Sequence, residues 1–440
     1  MGTRILRFLG NLGLVIVIAI GLAAWTLAPW QALVAAAVLF ALWMVLARTG
    51  RQASSVTGVG VSTLGRRVGA SSVVVVGIAG VVAVLVAMLA MAEGYRESLS
   101  RSGSPDTAIV LRGASDSEVS SVLSRDNVDA IAQTAGIARD AQGKPIASPE
   151  LVVAANLKLK DSPDTGSVQL RGVGPQAWAA RPGLKLLSGR KMTPGLRELI
   201  VGKGAQAKFD SLSVGREVRL GSQSWRVVGV FSAGNSMDSE IWADADVVAS
   251  AYRRGSSRTS VLVKLTRPAA FKPFTRALAA DPRLQVDATT TAEYYAKQSA
   301  TMTKVIRIIG IVVGAIMAIG AVFGALNTMF ATVATRAREI ATLRAIGFGG
   351  LPVVVAVMLE TMLLALLGGL IGGALAWLIF NGYTASTLAG GTGMLTFQFA
   401  VTPELMWTGI QWALAIGFVG GLYPALRAAR MPVVDALRAG

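Results

Sequence analysis

The chain has 440 residues, 53% of them hydrophobic and only 15% charged, with 49 glycines. That balance marks an integral membrane protein with a substantial water-soluble part. Neither cysteine nor histidine is present, which excludes disulfides, thiol or imidazole catalysis and the usual zinc sites. The net charge of +17 would suit a nucleic-acid partner, but where the charge lies matters more than its sum.

A positive start, Arg4 and Arg7, precedes an apolar run from Phe8 to Ala28. A signal peptide would look similar, but the run is about 20 residues long, enough to span a bilayer, and no small-x-small site closes it. A second apolar run, Gln31–Ala47, follows after Pro29 and Trp30. The pair reads as a helical hairpin with Trp25 and Trp30 in an interfacial belt. Arg48–Gly69 is polar and basic, and reads as a linker ending in a short interfacial helix near Ser62–Val68. Ala70–Ala92 is uncharged and far longer than a strand, so it is a third span. It emerges through Glu93–Leu99 with helical character retained.

Residues 94–303 form the one large hydrophilic region, enough for one or two compact domains. Asp126–Ala135 and Pro268–Leu278 read as helices. Glu198–Gly202, Glu217–Leu220, Ser224–Phe231 and Ser260–Leu265 read as strands between glycine turns. Thr289–Arg307 turns helical and leads into a fourth span, Ile308–Thr328. There Gly310/Gly314 and Gly320/Gly324 stand four apart, either as close-packing sites or as the ordinary glycine of membrane helices. Val353–Phe380 is the fifth span, with Gly368, Gly369, Gly372 and Gly373 placed on one packing face. Asn381–Thr402 reads as an uncharged loop, and Leu405–Ala425 as the sixth span.

Between spans four and five lies Asn327–Gly350, with Arg336, Arg338, Glu339 and Arg344. Val333, Ala337, Ile340 and Leu343 recur at helical spacing, and Gly347 supplies a stop. This short amphipathic helix, placed at 333–346, either lies on lipid headgroups or docks a soluble partner. Arg344 on its apolar side favours docking.

With six spans, Arg4, Arg7, Arg48, Arg51, Arg66, Arg67, Arg336, Arg338, Arg344, Arg427, Arg430 and Arg438 fall on one side. The opposite short loops, Pro29–Trp30 and Asn381–Thr402, carry no Lys or Arg. The positive-inside rule then puts both termini and the Asn327–Gly350 helix in the cytoplasm and the large domain outside. An outward-facing basic domain speaks against nucleic acid as a partner. Glu360 is the only acid inside the fifth span, about 12 Å from its start at 1.5 Å per residue. Intramembrane carboxylates are functional candidates, but no second acid or histidine exists in the spans to relay a proton, so structural or gating use is favoured over proton transport. No GxxxxGK[ST], GxSxG or HExxH occurs, and Gly202-Lys203-Gly204 lacks the phosphate-loop spacing. The chain is read as non-catalytic, with no metal site.

The order of span, external domain, span, cytoplasmic helix, span, span resembles the permeases of the MacB/FtsX/LolC-LolE group of ABC transporters. Arg336-x-x-Glu339-Ile340 and Leu343-Arg344-Ala345-x-Gly347 look like that group's coupling helix. Glu360 with Gly368 and Gly369 is similar to the opening of its next helix, and Tyr423-Pro424-Ala425 through Leu437 to its terminal segment. Met91–Gly94 and the strand region Gly189–Phe231 are similar to its first-span exit and periplasmic core domain. The resemblance covers about residues 62–440, and the hairpin at 8–47 is additional to the group's four-span core.

The apolar runs and the resemblance together imply an α-helical membrane protein of about six spans, with a large α+β extracytoplasmic domain inserted between spans three and four. Its segments would be an N-terminal hairpin and basic linker (1–69), a first core span (70–93), the core domain with stalk helices (94–303) and three C-terminal spans (304–440). It implies a cytoplasmic ABC ATPase partner docked on Val333, Arg336, Arg338, Glu339, Ile340, Leu343, Arg344 and Gly347. ATP and Mg would be bound by that partner and no cofactor by this chain. It also implies a second permease chain, identical or not, a periplasmic adaptor or membrane fusion protein, and residence in the bacterial inner membrane. The function implied is ATP-driven export or extraction of a drug, peptide or lipoprotein. The alternative is an ATP-driven regulator of an external cell-wall hydrolase.

Overall fold

The computed structural model describes residues 21, 24–25, 28–62, 68–160, 162–389 and 393–432. The expected span at 8–28 lies almost wholly outside them, as do Arg66, Arg67 and the terminal segment from 433. The helices are α1 (Trp30–Leu46), α2 (Arg48–Ser62), α3 (Val68–Ser100), α4 (Arg125–Ala132), α5 (Ala177–Ala180) and α6 (Lys203–Lys208). Then come α7 (Ala245–Ala251), α8 (Phe271–Ala280), α9 (Thr291–Thr335), α10 (Ala337–Ala345), α11 (Gly350–Phe380) and α12 (Pro403–Arg430). The strands are β1 (Thr107–Arg112), β2 (Ala147–Lys158), β3 (Thr165–Val173), β4 (Lys185–Gly189), β5 (Glu198–Gly202) and β6 (Glu217–Leu220). They continue with β7 (Gln223–Ser232), β8 (Glu240–Asp244), β9 (Ser260–Lys264), β10 (Val286–Thr290), β11 (Thr384–Ala389) and β12 (Gly393–Gln398). The chain forms two compact units: residues 1–90, 306–381 and 400–440, and residues 91–305 with 382–399.

The first unit is helical. Among the described residues, four helices are long and apolar enough to cross a membrane, at 71–100, 291–335, 350–380 and 403–430. The α1–α2 pair, bent by 96°, brings the count to at most five among the described residues. Six were expected, and α1 has only 17 residues, about 25 Å of helix. The stretch from Arg48, read as a linker, is instead helical for 15 residues. Ala53, Val56 and Gly60 make a buried stripe at 3-4 spacing, hidden in the sequence among serines and glycines, and α2 lays it on α11. At the other end of the hairpin, the Trp25 indole donates to the Gln411 carbonyl at 3.1 Å, while the buried Gln411 amide reaches the Ala28 carbonyl at 3.1 Å.

The four glycines of α11 face two ways, not one. A Cβ on Gly368 or Gly372 would strike Val75 or Ala79 of α3, whereas one on Gly369 or Gly373 would strike Ala413 or Met406 of α12. Residues one apart on a helix point about 100° apart, so 368/372 and 369/373 are separate small-residue seams. Gly310 and Gly314 of α9 likewise abut Met88 and Leu85 of α3, but nothing lies within 4 Å of a Cβ built on Gly320 or Gly324.

The second unit holds a ten-stranded mixed sheet in the order β10-β1-β9-β2-β3-β8-β5-β7-β4, with β6 on β7. The expected strands at 198–202 and 217–220 are β5 and β6. Those expected at 224–231 and 260–265 are β7 and β9 to within a residue. Val110, Val261, Val263, Ile131 and Phe274 form one core under α4 and α8. Leu151, Leu170, Val201, Trp225 and Val248 form another against α6 and α7. The segment read as the loop 381–402 is in fact a β-hairpin, β11 and β12 in antiparallel register from Thr384↔Gln398 to Ala389↔Gly393. It belongs to this unit, with Leu395 and Phe397 buried beside Tyr95 and Tyr295.

Candidate functional site

Two arginine-centred constellations carry the unusual electrostatics of the chain, one in each unit. In the helical unit, α9 ends at Thr335 and α10 begins at Ala337. Arg336 sits at the break with φ −101° and ψ 8°, the bridge region where helices change direction. Val333 therefore belongs to the last turn of α9 and not to the short helix, and is buried. The Arg336 guanidinium is 6% exposed. Its Nε and Nη2 donate to the Glu339 carboxylate at 3.0 Å each, and its Nη1 donates to Glu360 Oε2 at 2.9 Å. Glu360 is thus a buried partner inside α11, as its isolation among apolar residues suggested. A Cβ on Gly60 would lie 3.3 Å from both Arg336 Nη1 and Glu360 Oε2, so a glycine lets α2 close over this pair.

Arg344 also finds its partner within the chain. Its Nη1 donates to the carbonyls of Ala429 and Met431 at 2.8 and 2.9 Å. A cation at the C-terminal end of α12 meets carbonyls left without helical partners, which explains an arginine on the apolar side without any docked protein. Ile340 is buried, Leu343 half-buried, and Gly347 turns the chain at φ +101°. Of the eight residues assigned to docking, only Arg338 and Gly347 are exposed; Thr342, Ala345 and Ile346, the last 68% exposed, share that open surface.

In the sheet unit, Arg171 of β3 is the hub. The register pairs Glu150 with Ser260 across β2–β9, Gln169 with Glu240 across β3–β8, and Arg171 with Trp242. Strand alternation puts Glu150, Arg171, Glu240, Trp242 and Ser260 on one face. The turn at Glu118–Ser120 brings a third carboxylate over them. Arg171 Nε donates to Glu240, Nη1 to Glu118 and Glu150, and Nη2 to Glu118 and Glu240, all at 2.8–3.0 Å. All five of its N–H donors are used. Arg181 adds a two-pronged pair with Glu150 at 2.6 and 2.7 Å. Ser260, Gln169 and the Trp242 indole add second hydrogen bonds to Glu118 and Glu240 oxygens that already accept from Arg171. Burial pushes the Glu150 carboxyl up, but Arg181 and Arg171 outweigh it and hold it below the usual range. Burial likewise lowers Arg171, and the three carboxylates more than reverse this, raising it well above its ordinary value. The Tyr294 hydroxyl, on the first turn of α9, accepts from the Glu118 amide at 3.3 Å. Sequence reasoning singled out none of these residues. Arg171 lies in the strand TGSVQLRGV, whose mixed composition gave no signal that its arginine would be buried.

Each arginine joins elements distant in sequence, an arrangement suited to holding or transmitting position.

Two family models match. One, described as the MacB-like periplasmic core domain, covers residues 71–281, and the other, the FtsX-like permease C-terminal domain, covers residues 311–433. Among curated relatives, a macrolide export ATP-binding/permease protein, MacB 2, of Aeromonas hydrophila is 26% identical over 317 residues, 66% of this chain and 46% of that protein. The uncharacterized ABC transporter permease YknZ of Bacillus subtilis is 28% identical over 142 residues, 32% of this chain and 33% of the relative. The MacB of Rhodopirellula baltica is 31% identical over 147 residues, 31% of this chain and 20% of the relative. The chain thus spans between a fifth and under a half of these relatives. The periplasmic region of MacB from Actinobacillus actinomycetemcomitans aligns with 46% of this chain and 92% of its own, at 18% identity and a TM-score of 0.33.

Proposed function

We propose that this chain, which belongs to the MacB/FtsX-type ABC permeases, is the subunit through which an ATPase on a partner chain drives its extracytoplasmic domain, for export or extraction of a substrate. The observation that carries this reading is Arg336. It sits at the break between a 45-residue helix and α10, and ties that break to α11 through Glu360. A push on α10 would reach both helices at once, because buried ion pairs resist independent movement of their partners. The ATPase would contact the open surface of Arg338, Thr342, Ala345 and Ile346, while Arg336 and Arg344 transmit. The arginine distribution favours a cytoplasmic position for this surface and an external one for the sheet unit.

A second copy of the chain is part of the proposal. Ile309, Val312, Ile316, Ile319 and Phe323 of α9 are 50–65% exposed, and Val305, Ile308 and Ile311 beside them are exposed too. Any single face of a helix recurs at 3-4 spacing, and we propose that the matching face of a second copy's α9 covers this one in the bilayer. The test is co-purification of the ATPase with Arg338→Glu/Ile346→Asp and with Arg336→Gln. The first variant should lose the ATPase; the second should retain it but lose ATP-dependent change in the sheet unit. In the same preparation, Ile316→Cys in this cysteine-free chain should crosslink between copies. Full ATPase binding by Arg338→Glu/Ile346→Asp would sink the docking assignment.

A further inference from the structure

The sheet unit carries a cleft of about 480 Å³ that neither arginine constellation touches. Its lining includes Arg112, Arg254, Arg283, Asn127, Ser256 and Ser257, and no Asp or Glu. Arg112 ends β1, at the opposite end of that strand from the one α3 feeds, and faces Val286 at the start of β10. Arg254 comes from the turn after α7, where Arg253 and Gly255 hold φ of +55° and +58°. Two left-handed residues flank it, a tight conformation that fixes how the turn presents it.

The polar groups of the cleft are sorted by the structure into occupied and free. Arg283 is braced from one side: its Nε and Nη2 donate to Asp281 at 2.9 and 2.6 Å, leaving Nη1. Those bonds hold the Asp281 carboxyl down at about 2. The nearby Arg258 is taken by Asp246. Ser124 and Asn127 satisfy one another, the hydroxyl donating to Asn127 Oδ1 at 2.8 Å, which leaves the Asn127 Nδ2 as a donor. Arg112 and Arg254 have no ion-pair partner among the described residues. The Ser257 hydroxyl donates to the Arg254 carbonyl at 2.6 Å, so the cleft presents three guanidinium groups, one amide donor and the Ser256 hydroxyl against no lining carboxylate.

We propose that this cleft is a binding site for an oxyanion-bearing ligand, a phosphate or carboxylate group held between Arg112 and Arg254 with Arg283 at its edge. A concave surface of one sign concentrates the opposite charge. Guanidinium forks match carboxylate and phosphate oxygens two at a time. The volume suits a small molecule or the charged end of a larger one. The site stands independently of the ATPase coupling proposed above, since all its residues lie in the sheet unit.

The test is calorimetric titration of the detergent-solubilised full chain with inorganic pyrophosphate and, separately, with citrate. Saturable binding is expected for at least one, weakening as salt rises. Pyrophosphate alone would assign a phosphate ligand and citrate alone a carboxylate. Arg112→Gln and Arg254→Gln should each weaken binding about tenfold, the loss of one charge-assisted contact. Arg219→Gln, an exposed change on β6 outside the cleft, should leave it unchanged. All three positions are exposed, so equal melting temperatures should confirm folding. The proposal is overturned by absence of saturable binding for both anions, or by equal weakening in Arg219→Gln.

Discussion

Arg336 and Arg171 are built from the same parts and differ in closure. Each is a buried arginine bound to glutamates from other elements. Arg171 spends every donor on three carboxylates 21, 53 and 69 residues away, and sits 3% exposed among groups nearly as buried. Arg336 is held by one glutamate three residues on, itself 34% exposed, and by one 24 residues on. The first arrangement has no slack: its alternatives are all unpaired buried charges. The second has one wet partner, so the guanidinium can shift while keeping its contact with the other. A lock and a joint are the physical readings of that difference.

The largest effect tests the lock. Arg171→Ala would leave three buried carboxylates facing one another with only Arg181 nearby. Removing one partner from a buried ion pair costs about 3–5 kcal/mol, a large share of the stability of an ordinary domain. Loss of the cooperative thermal transition of the sheet unit, or failure of the chain to accumulate, is expected. A variant melting within a few degrees of the parent would erase the distinction between the two sites.

Glu360→Gln probes the joint and should be milder. The amide keeps the shape and can still accept from Arg336, while Glu339 retains the guanidinium, so the cost should stay below that of a broken buried ion pair, about 3–5 kcal/mol. Folding and ATPase binding should survive, and ATP-driven movement of the sheet unit, read by a fluorophore on its exposed surface, should fall. Collapse of the helical unit in this variant would show Glu360 to be as locked as Arg171.

The two sites also differ in how far the sequence discloses them. Around Arg336 the information is local: Glu339 follows at helical spacing, and a single acid in an apolar span announces that it needs a partner. Its identity was not legible, because nothing in sequence links residues 336 and 360, and the acceptors of Arg344 at residues 429 and 431 were hidden for the same reason. At Arg171 every partner is remote, and the sheet order that assembles them involves crossovers that strand patterns do not specify. Strands β5 and β6 were legible because alternation and glycine turns are short-range. The hairpin β11–β12 was passed over although Leu395, Phe397 and Phe399 alternate, since its glycines and lack of charge suggested a loop. The α11 glycines were legible as packing residues, and only their division between α3 and α12 needed the structure.

Acid titration gives the smallest and most graded separation of the two sites. The carboxyl of Glu150 lies below its ordinary value of 4.5 in the folded state. A lowered folded value means the unfolded chain binds the proton more readily. The stabilisation is therefore present above the ordinary carboxylate range and is lost as pH falls through the folded value. Thermal melts from pH 7 downward should show the sheet unit steady to about pH 5, then weakening through the carboxylate range. Arg181→Met removes the guanidinium that contributes most to holding Glu150 down, while Arg171 remains. The decline should then begin at higher pH, with little change for the helical unit, whose Glu360 answers to a different arginine. If Arg181→Met leaves the acid limb of the sheet unit where it was, Glu150 does not govern it, and the lock is held by Glu118 and Glu240 alone.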